Sequence, residues 1–515
     1  MKLTDKEYNN LLWQKNRLKN IYDVLVLLFS YIDGKSKKKY RAKYIKFLHM
    51  HPGYWEKLEL LNNEFLEEMI SFPVFIDKFW ELLTQENIRY YAFKMLFSYE
   101  HYFNEDYKVL KPEIQKSLHC KMSLFGPMNT VQDKYLLYRM PYGHFFKDYN
   151  RSRPEKSQIR FMDQNEFDRI DDRIKSYKII DTNKFSDRVE VVGYSETRYT
   201  LPQKLKIALI PVSPCKWFKE IPLSNEDEKY LGINEDEKIG NVVDIVIADD
   251  EKYTDSINNA YIHILERCIE ENIQIVVFPE LAGNRNTLDV VSGFLAQHMA
   301  NAENSLELIF LGSCSNNVRN EGILLNGSGT ELLKVTKKHA YKKVKEGVLY
   351  REKLIDFDAE ITLIDIPGLG RMQYLICKDG LNTASQNALW SIFEISFSVI
   401  SAYSESLSHF KNLGSCFSTQ YGGIQIVSNA CESRMGKYKI EDHPKLELGN
   451  VIIPCACAND MSVDKAIQKY ETVDYCWNEC RKKAKIGSCI RVVSIFPNEE
   501  SEIKELRMSL DNIIL

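Results

Sequence analysis

Met372-Gln373-Tyr374-Leu375-Ile376-Cys377-Lys378-Asp379-Gly380 decides the reading of this chain. A mostly apolar run ends on a thiol, and a carboxylate follows two positions later. Such a run reads as a buried strand with a nucleophile at its tip. Two upstream segments fit it. Ile275-Val276-Val277-Phe278-Pro279-Glu280 is a strand that ends in a carboxylate, and Thr336-Lys337-Lys338-His339 is a basic strand end. Together they offer a base, a cation and a thiol.

Each residue type answers one need of acyl transfer from nitrogen. A thiol attacks an amide or nitrile carbon as the thiolate, so a base must take its proton, and a carboxylate serves if burial raises its pKa. Glu280 is the candidate base. The tetrahedral intermediate carries an oxyanion that a fixed positive group stabilises, and Lys337 is the candidate for it.

In order and interval these segments resemble the motifs of the nitrilase, or carbon–nitrogen hydrolase, superfamily: a Glu after Phe-Pro, a Lys before a His, and a Cys in an Ile-Cys-x-Asp turn. Lys337 stands 40 residues before Cys377, about the family interval, and Glu352 stands 25 before it, where many members carry a second glutamate. The resemblance covers roughly residues 206–429. It opens on the strand Lys206-Ile207-Ala208-Leu209-Ile210 and a helical segment over 260–272. It implies an α/β fold, a nitrilase-like αββα sandwich, here preceded by a mostly α-helical domain. The implied mechanism uses no cofactor and no metal: a thioester forms at Cys377, Glu280 shuttles protons, Lys337 holds the oxyanion, and Glu352 orients the lysine or holds the deacylating water. The implied substrate is a small-molecule amide or nitrile, and the implied assembly is a homo-oligomer. The neighbouring lysine is expected to lower the thiol pKa and make Cys377 the most reactive of the twelve cysteines. Lys337 and Lys338 would face opposite sides of a strand, and the Lys-x-His spacing selects Lys337.

The chain also departs from the family pattern. Lys378 stands where an aromatic often follows the cysteine, and His409-Phe410 is followed by Phe417, Gln420 and Tyr421 where the family often has an Arg and an acid-Asn pair. A second function class therefore stays open. It is a non-catalytic assembly or partner-binding module of the kind found in larger machines, bacterial defence systems among them, with the helical domain recruiting a protein partner. Retention of all three catalytic residue types favours the hydrolase, since a fold alone does not fix a function.

With 515 residues the chain exceeds one ordinary domain. Helical spacing of apolar residues over 1–149, a charged connector over 150–201 and alternating strand and helix signals over 202–515 divide it. Strands are expected near Ile207, Val276, Ile309, Leu324, Leu333, Ile361, Tyr374, Val399 and Ile426, and helices near His263, Phe294, Leu389 and Phe410. The net charge of −4 gives no global pull toward nucleic acid or membrane. Twelve cysteines and an N-terminus without an apolar leader point to a reducing, cytoplasmic setting, and the run Val24 to Phe29 is too short to span a bilayer.

Three other features are read plainly. Lys35 to Lys46, interleaved with Tyr40 and Tyr44, is a solvated helix face before it is a phosphate-binding patch. Cys455, Cys457, Cys476, Cys480 and Cys489 have spacing too irregular for a zinc knuckle and are expected to be reduced and metal-free. The acidic stretch from Glu220 to Glu251, with Asp249-Asp250, reads as a surface insertion near the site mouth. With the segments 283–293, 342–352 and 401–409 it is expected to line the substrate pocket, where Ser401, Tyr403, Ser404 and Ser406 offer hydroxyls.

Overall fold

Two capping boxes open the chain in the computed structural model. At α1 (Asp5–Gln14) the Thr4 hydroxyl accepts the Glu7 N–H and the Glu7 carboxylate accepts the Thr4 N–H at 2.8 Å. At α2 (Ile21–Ser30) Asn20 and Asp23 repeat the exchange, which satisfies donors that a first turn leaves open. The structure describes residues 3–32, 52–96 except 68 and 93, 135–139, 177–181, 189–193, 204–211, 216–222, 241–249, 254–299, 305–354 except 317 and 318, 361–430 except 367, 368 and 405, 447–454, 468–474, 489–495 and 502–507. The basic run from Lys35 to Lys46 and cysteines 455, 457, 476 and 480 lie outside them.

Contacts divide the chain into one unit of residues 1–142 with 153–197 and a second of 143–152 with 198–515. In the first unit α3 (Pro52–Leu66) and α4 (Phe72–Leu82) follow the first two helices. The run Val24 to Phe29 is a buried helix segment, packed in one core with Phe75, Phe79 and Trp80. This unit is not helical throughout. β1 (Tyr135–Arg139) pairs antiparallel with β2 (Tyr177–Asp181), and Leu137 joins the helical core. The apolar run Tyr135 to Tyr138 carries no strand periodicity of its own, and its partner comes from the charged stretch read as a connector. β3 (Val189–Gly193) lies in the same unit.

The second unit builds two main sheets. The first contains β4 (Leu205–Leu209), β7 (Ile275–Val277), β8 (Leu308–Asn316), β9 (Arg319–Asn326), β10 (Glu331–Thr336), β19 (Cys489–Ile495) and β20 (Glu502–Arg507), in the order β10-β9-β8-β7-β4-β19-β20. The second runs β18 (Gln468–Asp474), β17 (Glu447–Pro454), β16 (Ile424–Asn429), β15 (Ile395–Ala402), β14 (Gly370–Ile376), β13 (Ile361–Ile366). Each sheet has three parallel neighbours, β4-β7-β8 and β14-β15-β16, flanked by antiparallel strands.

Helices cover the outer faces. α5 (Thr254–Glu270) and α6 (Thr287–Met299) pack Tyr261, Ile264, Val291 and Leu295 onto β4, β7 and β8, with Tyr261 stacked on Phe278 at 4.0 Å. On the other side α7 (Thr383–Phe393) and α8 (Ser408–Tyr421) cover the second sheet. The inner faces meet where Phe310 of β8 lies edge-on to Tyr374 of β14 at 5.0 Å and the Ser401 hydroxyl donates to the Phe278 carbonyl at 2.7 Å. Gly322 of β9 is required here, because a Cβ would overlap the Tyr374 ring. The layers are α, β, β, α, and the expected strands and helices fall where the sequence places them.

One expectation needs correction. The acidic stretch from Glu220 to Glu251 is strand, not loop, where it is described, at 220–222 and 241–249; residues 223–240, 250 and 251 lie outside the described residues. β5 (Lys216–Pro222) and β6 (Asn241–Asp249) pair antiparallel and form a four-stranded sheet with β11 (Lys342–Lys345) and β12 (Val348–Glu352). Beneath its acidic flanks the run Val242-Val243-Asp244-Ile245-Val246-Ile247 has the β-branched content of a strand. β11 and β12 join through Glu346-Gly347, both at positive φ (53° and 77°), the geometry of a two-residue hairpin whose twist matches its strands. β12 runs parallel to β6, and the Arg351 guanidinium donates to Asp244 at 2.7 Å. Among the described residues no helix is long and apolar enough to cross a membrane.

Candidate active site

Glu280 leaves the carboxyl end of β7 and Cys377 the carboxyl end of β14, the edge at which open α/β sheets hold their ligands. Cys377 has φ 43°, in the left-handed region, and opens the 3₁₀ turn Cys377–Leu381. For a side-chain-bearing residue that conformation costs about 1–2 kcal/mol. The surrounding contacts impose it. Asp379 accepts the N–H groups of Lys338 at 3.0 Å and His339 at 2.8 Å, and its carboxylate also meets His339 Nδ1 at 2.8 Å. Asp379 thus ties the turn that opens at Cys377 to the chain just after Lys337.

On the other side the Glu280 N–H donates to the Ala402 carbonyl at 3.3 Å, and the next residue, Leu281 at φ 61°, donates its N–H to Ser313 Oγ at 2.9 Å. Gly312 allows this bend, since a Cβ there would run into the Pro279 carbonyl. Glu352 is the last residue of β12, fixed by its N–H to the Tyr341 carbonyl and by Lys353 N–H to the Ile245 carbonyl, both 2.9 Å.

These segments bring all four predicted residues together, and each is buried: Glu280 3 % exposed, Lys337 4 %, Glu352 5 %, Cys377 7 %. Lys337 Nζ donates to Glu280 Oε1 at 2.7 Å and to Glu352 Oε2 at 2.5 Å. Lys338 spends its backbone N–H on Asp379 instead, so the register is the one the Lys-x-His spacing selects. The Cys377 thiol lies 3.9 Å from the Tyr403 carbonyl and near enough to Glu280 for that carboxylate to act on it electrostatically. Burial holds Glu280 above the ordinary carboxylate range, with Lys337 opposing and Glu352 adding to the rise. Burial also works against the charge of Lys337, but the two glutamates outweigh it and keep the ammonium above its ordinary pKa.

The thiol corrects a prediction. Burial first, and the Glu280 carboxylate second, push Cys377 well above the ordinary thiol range, and Lys337 opposes this without reversing it. The balance favours the neutral thiol over a thiolate stabilised by the lysine.

Sequence reasoning missed Asn320. This β9 residue is 1 % exposed, and its Nδ2 donates to Glu280 Oε1 at 2.7 Å and to Glu352 Oε1 at 3.1 Å, while its carbonyl accepts the Lys337 N–H at 2.8 Å. An Asn inside Arg319-Asn320-Glu321 gives no local sign of this. Other expectations change too. Ser401 is spent on the Phe278 carbonyl and on Tyr374 between the sheets, so its hydroxyl does not serve a pocket. The 283–293 segment is helical from Thr287 onward, and its remaining turn is pinned by Asn284 and Thr287 to Asn258. Phe417 is buried and packs on Trp390 at 4.6 Å, whereas His409 and Gln420 face solvent. Lys378 donates from Nζ to the Ala340 carbonyl at 2.9 Å, and burial together with Lys342 and Lys337 lowers its pKa. Among the described residues no group of His, Cys, Asp and Glu is arranged to hold a metal ion.

Parts of the chain are similar to solved structures, members of the nitrilase superfamily among them. One is the amidase from Nesterenkonia sp. AN1 with acrylamide added at its active-site cysteine, at 13% identity over 44% of this chain and 79% of that one, with a TM-score of 0.28. Another is Nit3 from Saccharomyces cerevisiae, a member of branch 10 of the superfamily, at 13% identity over 62% and 94%, with a TM-score of 0.33. A third is the glutamine-dependent NAD+ synthetase from Acinetobacter baumannii in complex with ADP, at 13% over 44% and 39%, with a TM-score of 0.29. No family model and no curated protein matches the sequence. Similarity at this level carries no activity across. The chemistry rests on the residues of this chain.

Proposed function

We propose that the second unit is a cysteine-dependent hydrolase or acyltransferase acting on a non-peptide C–N bond, of the amide or nitrile type, in a small molecule. The observation that carries this is the buried Lys337 ammonium held between Glu280 and Glu352, with the Cys377 thiol beside the same Glu280. For an amide, the Glu280 carboxylate takes the thiol proton as Sγ bonds to the carbonyl carbon, and the oxygen that gains the electron pair is stabilised by Lys337. Glu280 then returns the proton to the departing amine, leaving a thioester on Cys377. Water, or an acceptor nucleophile, loses a proton to a carboxylate and displaces the thiol. Glu352 keeps the lysine aimed in both half-reactions, and no step requires a cofactor.

Burial favours this chemistry because a fixed charge in a water-poor site acts on developing charge far more strongly than in water. Glu280→Gln keeps the shape and hydrogen-bonding reach but removes the base. Turnover of a responsive amide is expected to fall by roughly 10²-fold or more. Steady-state kinetics on the folded variant check this, and unchanged kcat would remove Glu280 from the mechanism. Because burial holds Glu280 above the ordinary carboxylate range, activity is also expected to fall on acidification at a higher pH than an exposed glutamate would give. We further propose self-association through this unit.

A further inference from the structure

We infer that Asn320 is a positioning residue that selects which oxygen of Glu280 receives the thiol proton and keeps that carboxylate ionised as a base. The inference rests on the hydrolase reading for the role of Glu280, but its test does not require a substrate. One amide nitrogen with two hydrogens spans the two glutamates, at 2.7 Å to Glu280 Oε1 and 3.1 Å to Glu352 Oε1. Lys337 Nζ takes the same Oε1 of Glu280 and the other oxygen of Glu352. Glu280 Oε1 therefore has two donors. Oε2 is the Glu280 oxygen that neither donor occupies, and the carboxylate cannot rotate without giving up both contacts. The main chain supports the same arrangement, since the Asn320 carbonyl fixes the Lys337 N–H at 2.8 Å.

Charge balance gives the second half of the role. Two carboxylates share one ammonium in a buried site, so one negative charge has no ionic partner, and an anion there is costly unless hydrogen-bonded. Asn320 is a neutral donor to both. It lowers the cost of keeping both ionised without adding a positive charge that would compete with Lys337 for the oxyanion. The acceptor atom Oδ1 is buried without a hydrogen-bond partner. Holding an amide here despite an unmet acceptor fits a site selected for its N–H groups.

The test is the pH dependence of iodoacetamide labelling at Cys377 in the full-length protein, read by peptide mass, because that rate reports proton transfer from the thiol to Glu280. Asn320→Asp is nearly isosteric and replaces the shared donor by a third carboxylate. The acid limb of the labelling profile is expected to move up by about one to two pH units, the size of losing a hydrogen bond to a charged group, with a drop of roughly 10-fold or more at neutral pH. Asn320→Ser, which keeps a single donor, should give a smaller shift in the same direction. The double variant Asn320→Asp with Glu352→Gln exchanges acid and amide across the 3.1 Å contact and restores a donor between the two sites. It should recover part of the shift. Folded variants, judged by circular dichroism, that keep the wild-type profile would overturn the inference. So would a double variant displaced further than the single, since a purely packing role predicts additive damage and no recovery. If the profile shifts as expected while no substrate is ever turned over, the positioning role stands and the hydrolase reading fails.

Discussion

Replacing Cys377 with alanine is expected to abolish turnover while leaving the fold intact. Removing a nucleophile that acts as one unit with its base costs on the order of 10⁶-fold in kcat in hydrolases with covalent intermediates. The structural cost is small by comparison. Alanine meets the same positive φ as cysteine, the turn is held by Asp379, His339 and Lys338 and not by the sulfur, and the buried sulfur is worth roughly 1 kcal/mol of packing. The variant should therefore show wild-type circular dichroism and nearly wild-type unfolding, with activity at background. Retained activity would mean that the 3₁₀ turn at Cys377 is a structural feature, and loss of folding would move the importance of the residue from chemistry to the core.

The second large effect is on stability. Lys337→Met keeps the length of the side chain and removes its charge, leaving Glu280 and Glu352 buried with Asn320 as a shared neutral donor. Breaking a buried pair by deleting one partner costs roughly 3–5 kcal/mol, because the remaining charge is uncompensated. The pH dependence follows from the sign of the shift. Without the ammonium the folded-state pKa of Glu280 rises further above the unfolded value of about 4.3, so the penalty is fully present at neutral pH and above. It fades as pH falls toward the unfolded value, because the folded state then takes up the proton it lacks. Urea unfolding of wild type and variant at pH 5 and pH 8 should show the larger gap at pH 8. A gap that is equal at both, or larger at pH 5, would contradict a lysine whose task is to neutralise the two glutamates.

The parts of this site that were legible in the sequence share one property. Glu280, Lys337, Cys377 and Glu352 all stand at or just past strand ends, so a break in an apolar or basic run marks each of them, and their spacing ties them to one family pattern. Asn320 stands inside the site by tertiary packing alone. It reaches Glu280 across 40 positions of sequence, and nothing local distinguishes it from any polar residue at the start of a strand. The sign of the thiol shift was illegible for a related reason. A neighbouring lysine can be read from sequence, but the burial that outweighs it cannot. The β5 and β6 strands were hidden by the acidic residues around them, although Asp244 is in fact buried against Arg351 and supports the strand that carries Glu352. The sheets and their covering helices were more readable, because β-branched runs such as Ile395 to Ala402, buried along their whole length, leave a signal that composition alone carries.

The proposed hydrolase forms a covalent acyl intermediate at Cys377, on a site built from Glu280, Lys337 and Glu352. Intact-protein mass spectrometry after incubation with a library of small amides and nitriles tests it most directly, with peptide mapping of any adduct and Cys377→Ala in parallel. The expected result is a mass increase equal to the acyl portion of a substrate, located on Cys377, labile to hydroxylamine as a thioester is, and absent from Cys377→Ala. Adducts spread evenly over the cysteines, or an adduct of the same mass that persists in Cys377→Ala, would contradict it.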